Sequence, residues 1–193
     1  MEPSNAKLRR RMTWSSLSNR LCRINMCSAD PNEFAPGSFG IVEEVIDAAM
    51  VQRSNFQSRL TERLWRWWEV TSRDGVPLWS SFDITGHSPL AANIYVVRAR
   101  DDAFQFRLYG ERAIEIIGHN PTGEVITSRS PGAISEHLHD YYSRVLAGGQ
   151  CWRCTGPLLY SSREHRRFES VDIPLIRYGT APDMILGVID LLD

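Results

Sequence analysis

The chain has 193 residues, of which 42% are hydrophobic and 23% charged, and its formal net charge is −1. These values predict one soluble globular domain with a tail, because a typical domain has about 100–200 residues. A balanced charge gives no overall attraction to nucleic acid, and no apolar run is long enough to span a bilayer. Nucleic-acid-binding and membrane-embedded classes are therefore not expected.

The first 50 residues differ in composition from the rest. Residues 1–25 are rich in Arg, Ser and Asn, which predicts a disordered or weakly ordered tail, although organelle transit peptides have a similar composition. Met12, Met26 and Met50 are alternative start sites. Residues 41–50 are apolar enough to begin a helix. No secretory signal is visible, so a reducing cytoplasm is the expected compartment for the four cysteines.

A helix is predicted over residues 54–71. Ser54 and Gln57 form a capping-box pattern at its start. One face carries the apolar side chains Phe56, Leu60, Leu64, Trp67 and Trp68. We interpret the two tryptophans of this face as packing anchors, with a ligand-stacking role as the alternative. Trp65 lies on the opposite side of this helix, which favours a helix–helix contact or a homodimer contact through this helix.

A β-hairpin is predicted next, with strands over residues 94–99 and 104–109 and a turn at Asp101-Asp102. In the second strand Phe104, Phe106 and Leu108 point one way, and Gln105, Arg107 and Tyr109 the other. Gly110 interrupts the alternation. A short helix then carries Ala113, Ile116 and Ile117 on one face and ends at Gly118, before a polar loop.

A long helix and three strands complete the chain. Ser130 and Pro131 are natural first residues for the helix, and Gly148-Gly149 ends it. Its apolar positions are Ile134, Leu138, Tyr141, Tyr142, Val145 and Leu146. The strands are expected over residues 152–160, 165–176 and 184–192, with a turn at residues 161–164.

Two details of these strands give further expectations. Phe168 is out of phase with Val171, Ile173 and Leu175, which predicts a bulge near Glu169 and Ser170. Pro174 should lie at an edge or a bulge. The last strand is apolar on both faces and should be central. The order of elements predicts an α+β fold: a five-stranded antiparallel sheet with helices on one face and an added N-terminal helix.

Several segments resemble the PAS domain, and more narrowly a family of bacterial standalone PAS-containing proteins. The matching segments are Leu64-Trp65-Arg66-Trp67-Trp68 with Asp74-Gly75-Val76-Pro77, then Phe104, Arg107, Leu108 and Gly110, then Gly118, Thr122 and Gly123, and finally Glu169, Pro174 and Leu175. The resemblance covers residues 51–193, which we expect to be a single PAS-like domain. It implies the sheet order of PAS domains and a small cavity enclosed by the helices beside the sheet.

Four residues are candidates for contact with a ligand in such a cavity: Arg107, Tyr109, His137 and Glu169. For Arg107 and Glu169 the favoured interpretation is an ion pair across the sheet, with a ligand contact as the alternative. Members of this fold can hold haem, and His137 on the long helix would then be the axial ligand; solvated packing of that histidine is the favoured alternative. Cys151-Trp-Arg-Cys154 has the spacing of zinc or thiol-exchange motifs, but positions i and i+3 of a strand face opposite sides.

The resemblance implies a non-catalytic, cytoplasmic sensor or regulatory domain in signal transduction. It would bind a small molecule, a signalling protein partner or both, and the sequence leaves the cofactor and the partner unnamed. The alternative is a small cystatin-like α+β enzyme, which would need a histidine–carboxylate pair such as His137 with Asp140 or Glu136. A haem-binding PAS sensor is a further alternative.

Overall fold

A computed structural model describes residues 41–46, 56–158 and 166–192. In chain order the elements are β1 (Val42–Val45), α1 (Arg59–Thr71), two 3-10 helices (Trp79–Ser81 and Ile84–Leu90), β2 (Ile94–Arg100), β3 (Ala103–Tyr109), α2 (Glu111–Ile117), β4 (Val125–Thr127), α3 (Ala133–Gly148), β5 (Trp152–Pro157), β6 (Arg167–Leu175) and β7 (Met184–Leu192). The fold is α+β, as predicted. The tail expected over residues 1–50 and the turn expected at 161–164 lie outside the described residues, apart from 41–46.

The strands form one antiparallel sheet of seven strands, in the order β1-β5-β6-β7-β2-β3-β4. β7 lies between β6 and β2, which confirms the central position predicted for it. The five strands expected from the sequence are the five inner ones. The two edge strands, β1 and β4, were not anticipated: residues 42–45 pair with β5 instead of beginning a helix, and residues 125–127 pair with β3.

Both faces of the sheet are buried. On one face, here called the cavity face, strand residues such as Val97, Phe106 and Ile185 pack with α2 and α3. On the other, here called the outer face, Val96 and Leu186 are among the residues that pack with α1. The helices are therefore divided between the two faces.

The first helix begins later than predicted. It starts at Arg59, and the Ser58 side chain caps it by accepting hydrogen bonds from the backbone N–H groups of Leu60 and Thr61. Ser54 lies outside the described residues. Trp65 is only 5% exposed and packs on Phe56, with ring centroids 5.2 Å apart. The expectation of an outward-facing Trp65 is therefore wrong, because the buried stripe of this helix consists of Thr61, Leu64, Trp65 and Trp68 and so includes it.

A bulge in β3 changes which of its side chains reach the cavity face. Val96 pairs with Leu108 and Val97 pairs with Phe106, so Arg107 is the extra residue. Tyr109 therefore lies on the same face as Phe106, and Leu108 is 45% exposed. The alternation expected after Phe106 is wrong for this reason.

In β6, by contrast, no bulge interrupts the register, which runs without a shift from Arg167 to Leu175. Phe168 is out of phase because it packs on the cavity face, while Val171 and Ile173 pack on the outer face. The pairing between β5 and β6 ends at Asp172, so β5 does not reach Pro174. Pro174 therefore lies where one side of β6 has no pairing with β5.

The long helix α3 begins at Ala133 with Gly132 as its cap, rather than at Ser130 and Pro131. Ser130 instead accepts a hydrogen bond from the backbone N–H of Thr127. No helix within residues 41–46, 56–158 and 166–192 is long and apolar enough to cross a membrane.

Candidate functional site

A cavity of about 310 Å³ lies between the cavity face of the sheet and helices α2 and α3. This volume is at the lower end of the range of small-molecule sites. Asp172 belongs to the buried part of its wall and is 0% exposed, whereas His119, Glu124 and Ile134 are exposed at its mouth. The cavity therefore has a buried polar end and an open rim.

Asp172 is the centre of the buried end. Its Oδ1 accepts a hydrogen bond of 2.6 Å from the Tyr95 hydroxyl, and its Oδ2 accepts one of 2.8 Å from the Tyr141 hydroxyl. Ser170 Oγ lies 3.4 Å from Oδ2. Burial raises the pKa of Asp172 to about 6, against the opposing effect of these three hydroxyl contacts. Burial also raises the pKa of both tyrosines, so their hydroxyls stay protonated.

The register of three strands explains how Tyr95 reaches Asp172. Asp172 of β6 pairs with Gly187 of β7, and Gly187 pairs with Tyr95 of β2. A Cβ atom on Gly187 would lie 2.1 Å from Cζ of Tyr95. Because glycine has no side chain, the Tyr95 ring can lie across β7 at this position.

Aromatic rings form much of the remaining wall. Tyr95 and Tyr109 are stacked, with centroids 5.3 Å apart and planes inclined by 15°. Phe106 meets Tyr109 edge-on at 5.8 Å, and Tyr142 lies 5.5 Å from Tyr141. Such a wall offers π faces as well as apolar area to a bound molecule.

A charged group borders the rim. His137 Nε2 lies 2.8 Å from Oε1 of Glu43, a residue of β1, and Arg144 forms an ion pair with the same carboxylate. Burial tends to raise the pKa of Glu43, but the contacts with His137 and Arg144 outweigh it and lower this pKa from its usual value. The negative charge of Glu43 is therefore balanced by the positive charge of Arg144.

Two of the four candidates proposed from the sequence line the cavity and two do not. Tyr109 and His137 line the cavity. Arg107 is exposed and donates to the Gln105 side chain at 3.2 Å. Glu169 is fully buried on the outer face, where Arg153 Nη2 lies 3.0 Å from Oε2. The ion pair expected between Arg107 and Glu169 is therefore wrong, since Arg153 is the partner of Glu169.

Sequence reasoning missed Asp172, Tyr95 and Glu43. The burial of Asp172 could have been predicted from its strand, because β6 pairs with β7, which is apolar on both faces. A strand beside such a neighbour is itself buried on both faces, so the two carboxylates within it, Glu169 and Asp172, must be buried too. Glu43 had no such signal, because β1 was not recognised as a strand.

The two cysteines of the C-x-x-C motif are separated by the sheet. Cys151 packs in the cluster on the outer face and Cys154 in the cluster on the cavity face, as their spacing predicts. Burial raises the pKa of both thiols, so they remain protonated. Among the described residues, no group of three or more His, Cys, Asp or Glu side chains is placed to hold a metal ion.

No protein-family model matches this chain, and no curated protein matches it in sequence. The lining of the cavity combines an apolar aromatic wall with a buried carboxylate that accepts hydrogen bonds from two tyrosine hydroxyl groups.

Proposed function

We propose that this chain is a non-catalytic sensory domain of the PAS type, which binds a small molecule in the cavity beside Asp172. Its output would pass to a signalling protein partner, and the cytoplasm of a bacterium is the proposed setting. The observation that carries the proposal is the cavity of about 310 Å³, lined mainly by apolar and aromatic side chains around one buried carboxylate. A few polar groups in an apolar wall are typical of sites that bind small molecules.

The fold supports this assignment. The five inner strands are antiparallel, with the β2–β3 hairpin beside the last strand, and α2 and α3 follow that hairpin in the chain. These two helices pack over the cavity face. An antiparallel sheet with helices that enclose a small cavity is what the resemblance to PAS domains implies.

A signal would leave the cavity through α2 and the loop after it. Ile117, His119, Pro121 and Glu124 line the cavity, so a bound molecule contacts this segment. α2 spans only Glu111–Ile117 and ends at Gly118 in the left-handed conformation, with φ of 87°. A helix of two turns followed by an exposed loop opens more readily than the central strands, and its position would report whether the cavity is occupied.

Hydrogen exchange on the full chain tests the proposal. The chain is purified without denaturation, a co-purifying molecule is sought by native mass spectrometry, and a metabolite panel is screened by thermal shift. Binding in the cavity should slow exchange over residues 117–124. Ile134→Trp, at the mouth, should abolish both the thermal shift and the protection, whereas Val70→Trp, an exposed position on α1, should leave them unchanged. Protection that survives Ile134→Trp would place binding elsewhere and contradict the proposal.

A small α+β enzyme is the second candidate, and the His137–Glu43 pair at the cavity favours it. This pair differs from the His137–Asp140 and His137–Glu136 pairs considered from the sequence. A histidine held by a carboxylate is a common general base. Mass spectrometry of a bound ligand after long incubation separates the two candidates, since a sensor returns the ligand unchanged and an enzyme returns a product.

A further inference from the structure

We infer that the cavity selects a small organic cation, an ammonium group carried on an apolar body. This inference rests on the proposed ligand-binding role of the same cavity and adds the chemical class of the ligand. Three independent features of the lining carry it: its charge, the direction of its hydrogen bonds and its aromatic surface.

The charge of the lining is negative. Among the described residues, the lining contains three carboxylates, Glu43, Glu124 and Asp172, together with two histidines and no lysine or arginine. Glu43 forms an ion pair with Arg144 and lies 2.8 Å from Nε2 of His137. Asp172 is different, because its hydrogen-bond partners in the described chain are neutral hydroxyl groups. A buried carboxylate without a cation is costly, and a bound cation would offset that cost.

At the buried end of the cavity, the direction of the hydrogen bonds disfavours an anion and favours a group that donates hydrogen bonds. The hydroxyl protons of Tyr95 and Tyr141 both point to Asp172, so neither hydroxyl has a proton left for a ligand. The two phenol oxygens and the carboxylate can then offer only lone pairs. Donation to a carboxylate also polarises each phenol oxygen and makes it a better acceptor. An ammonium group, which carries only donors, fits this buried end.

The aromatic side chains of the cavity wall also favour a cation. Tyr95, Phe106, Tyr109 and Tyr142 all line the cavity. The face of an aromatic ring carries negative charge density and attracts a cation within about 6 Å of its centroid, more strongly where water is excluded. Apolar side chains such as Ile117, Ile126 and Ile189 supply the surface for the uncharged part of the ligand.

The test uses three probes that share a phenylalkyl body and differ at one end: 3-phenylpropan-1-amine, 3-phenylpropan-1-ol and 3-phenylpropanoate. Calorimetric titration of the full chain at pH 7.5 should show that the protonated amine binds at least tenfold more tightly than the alcohol, while the carboxylate fails to bind. The isosteric Asp172→Asn should reduce the amine's advantage to less than threefold. Asp140→Asn, at an exposed position on α3, is the matched control and should keep it.

The outcomes separate this inference from the proposed function. If the alcohol or the carboxylate binds as tightly as the amine, the cation inference is overturned and the cavity remains a ligand site. If none of the three binds at millimolar concentration, the cation inference fails, and the hydrogen-exchange comparison with Ile134→Trp decides separately whether the cavity binds a ligand. The comparison of the probes on the wild-type chain decides between these outcomes even if Asp172→Asn does not fold.

Discussion

Asp172 shows how a single side chain sets the chemistry of the cavity. It is fully buried, and its partners are the hydroxyl groups of Tyr95 and Tyr141. Two neutral hydrogen bonds stabilise a carboxylate less than an arginine would, so burial prevails and its pKa rises to about 6. At neutral pH the folded chain therefore contains a buried negative charge.

This charge gives the free energy of unfolding a definite dependence on pH. The pKa of Asp172 is about 6 in the folded chain against the ordinary 3.8, so the native state retains the proton between these values. The contribution of Asp172 to the stability of the wild type should fall by about 3 kcal/mol as the pH rises through about 4 to 6, and then level off. Asp172→Asn should lack this component. Denaturant titrations of both proteins at pH 4, 5, 6 and 7 measure it, and parallel curves for the two would refute the assignment.

Gly187 is the second residue on which the site depends. Gly187→Ala would place a methyl group 2.1 Å from Cζ of Tyr95 and displace the ring. We expect a loss of about 2 kcal/mol or more in stability, as for other overpacked cores, and a weaker Tyr95–Asp172 hydrogen bond. Gly86→Ala is the control, because a Cβ there meets no atom within 4 Å. Equal stability of the two variants would show that the Tyr95 ring can move without cost.

At the scale of elements, the attachment of α1 to the sheet depends on one buried network. Glu169 of β6 accepts a hydrogen bond from the backbone N–H of Gln57 at 2.9 Å and contacts the hydroxyl of Thr61. Arg153 of β5 bridges Glu169 and Glu44. The negative charge of this carboxylate, near the first turn of α1, also interacts favourably with the positive end of the helix dipole. The start of α1 is thereby held on the outer face.

Removal of the cation from this network should be costly. Arg153→Met leaves Glu169 buried without its ion-pair partner, which we expect to lower the free energy of unfolding by about 3 kcal/mol. Arg66→Met removes the Glu62–Arg66 pair on the exposed side of α1 and should cost less than about 1 kcal/mol. Chemical denaturation of both variants gives the comparison. Similar losses for the two would mean that Glu169 is satisfied without Arg153.

At the scale of the whole molecule, the sheet separates two apolar clusters and β7 contributes to both. Ile185 and Ile189 face the cavity, while Met184, Leu186 and Val188 face α1. The edge strand β1 adds to both the sheet and the cavity, since it pairs with β5 and supplies Glu43. Ile46 continues this edge: it is buried, and its N–H donates to the carbonyl of Cys151 at 2.9 Å.

Loss of β1 should therefore weaken the whole domain. A chain that begins at residue 47 lacks this strand, whereas one that begins at residue 41 retains it. We expect the shorter chain to melt at least about 5 °C lower, because it loses the burial of Ile46 and exposes the edge of β5. Differential scanning calorimetry compares the two. Equal melting temperatures would show that β1 contributes little to the fold.

Local patterns in the sequence were enough for the elements whose causes are local. The β2–β3 hairpin turns at Asp101-Asp102, α2 ends at Gly118, and β7 is central, as predicted. In each case the determining feature, a turn residue, a left-handed glycine or a doubly apolar run, lies within the segment itself. The α+β class follows from the order of such segments.

The candidate site depends on contacts between segments that are distant in the chain. The bulge at Arg107 turns Tyr109 to the cavity face, and the register of β6, β7 and β2 aligns Asp172, Gly187 and Tyr95 across three strands. These residues meet because of pairings between strands that are distant in sequence, and no local period encodes such a register. Local patterns in the sequence indicated the three helices and the five inner strands, but not the two edge strands. The pairing of those segments decided that a carboxylate, a glycine and a tyrosine would form the buried end of one cavity.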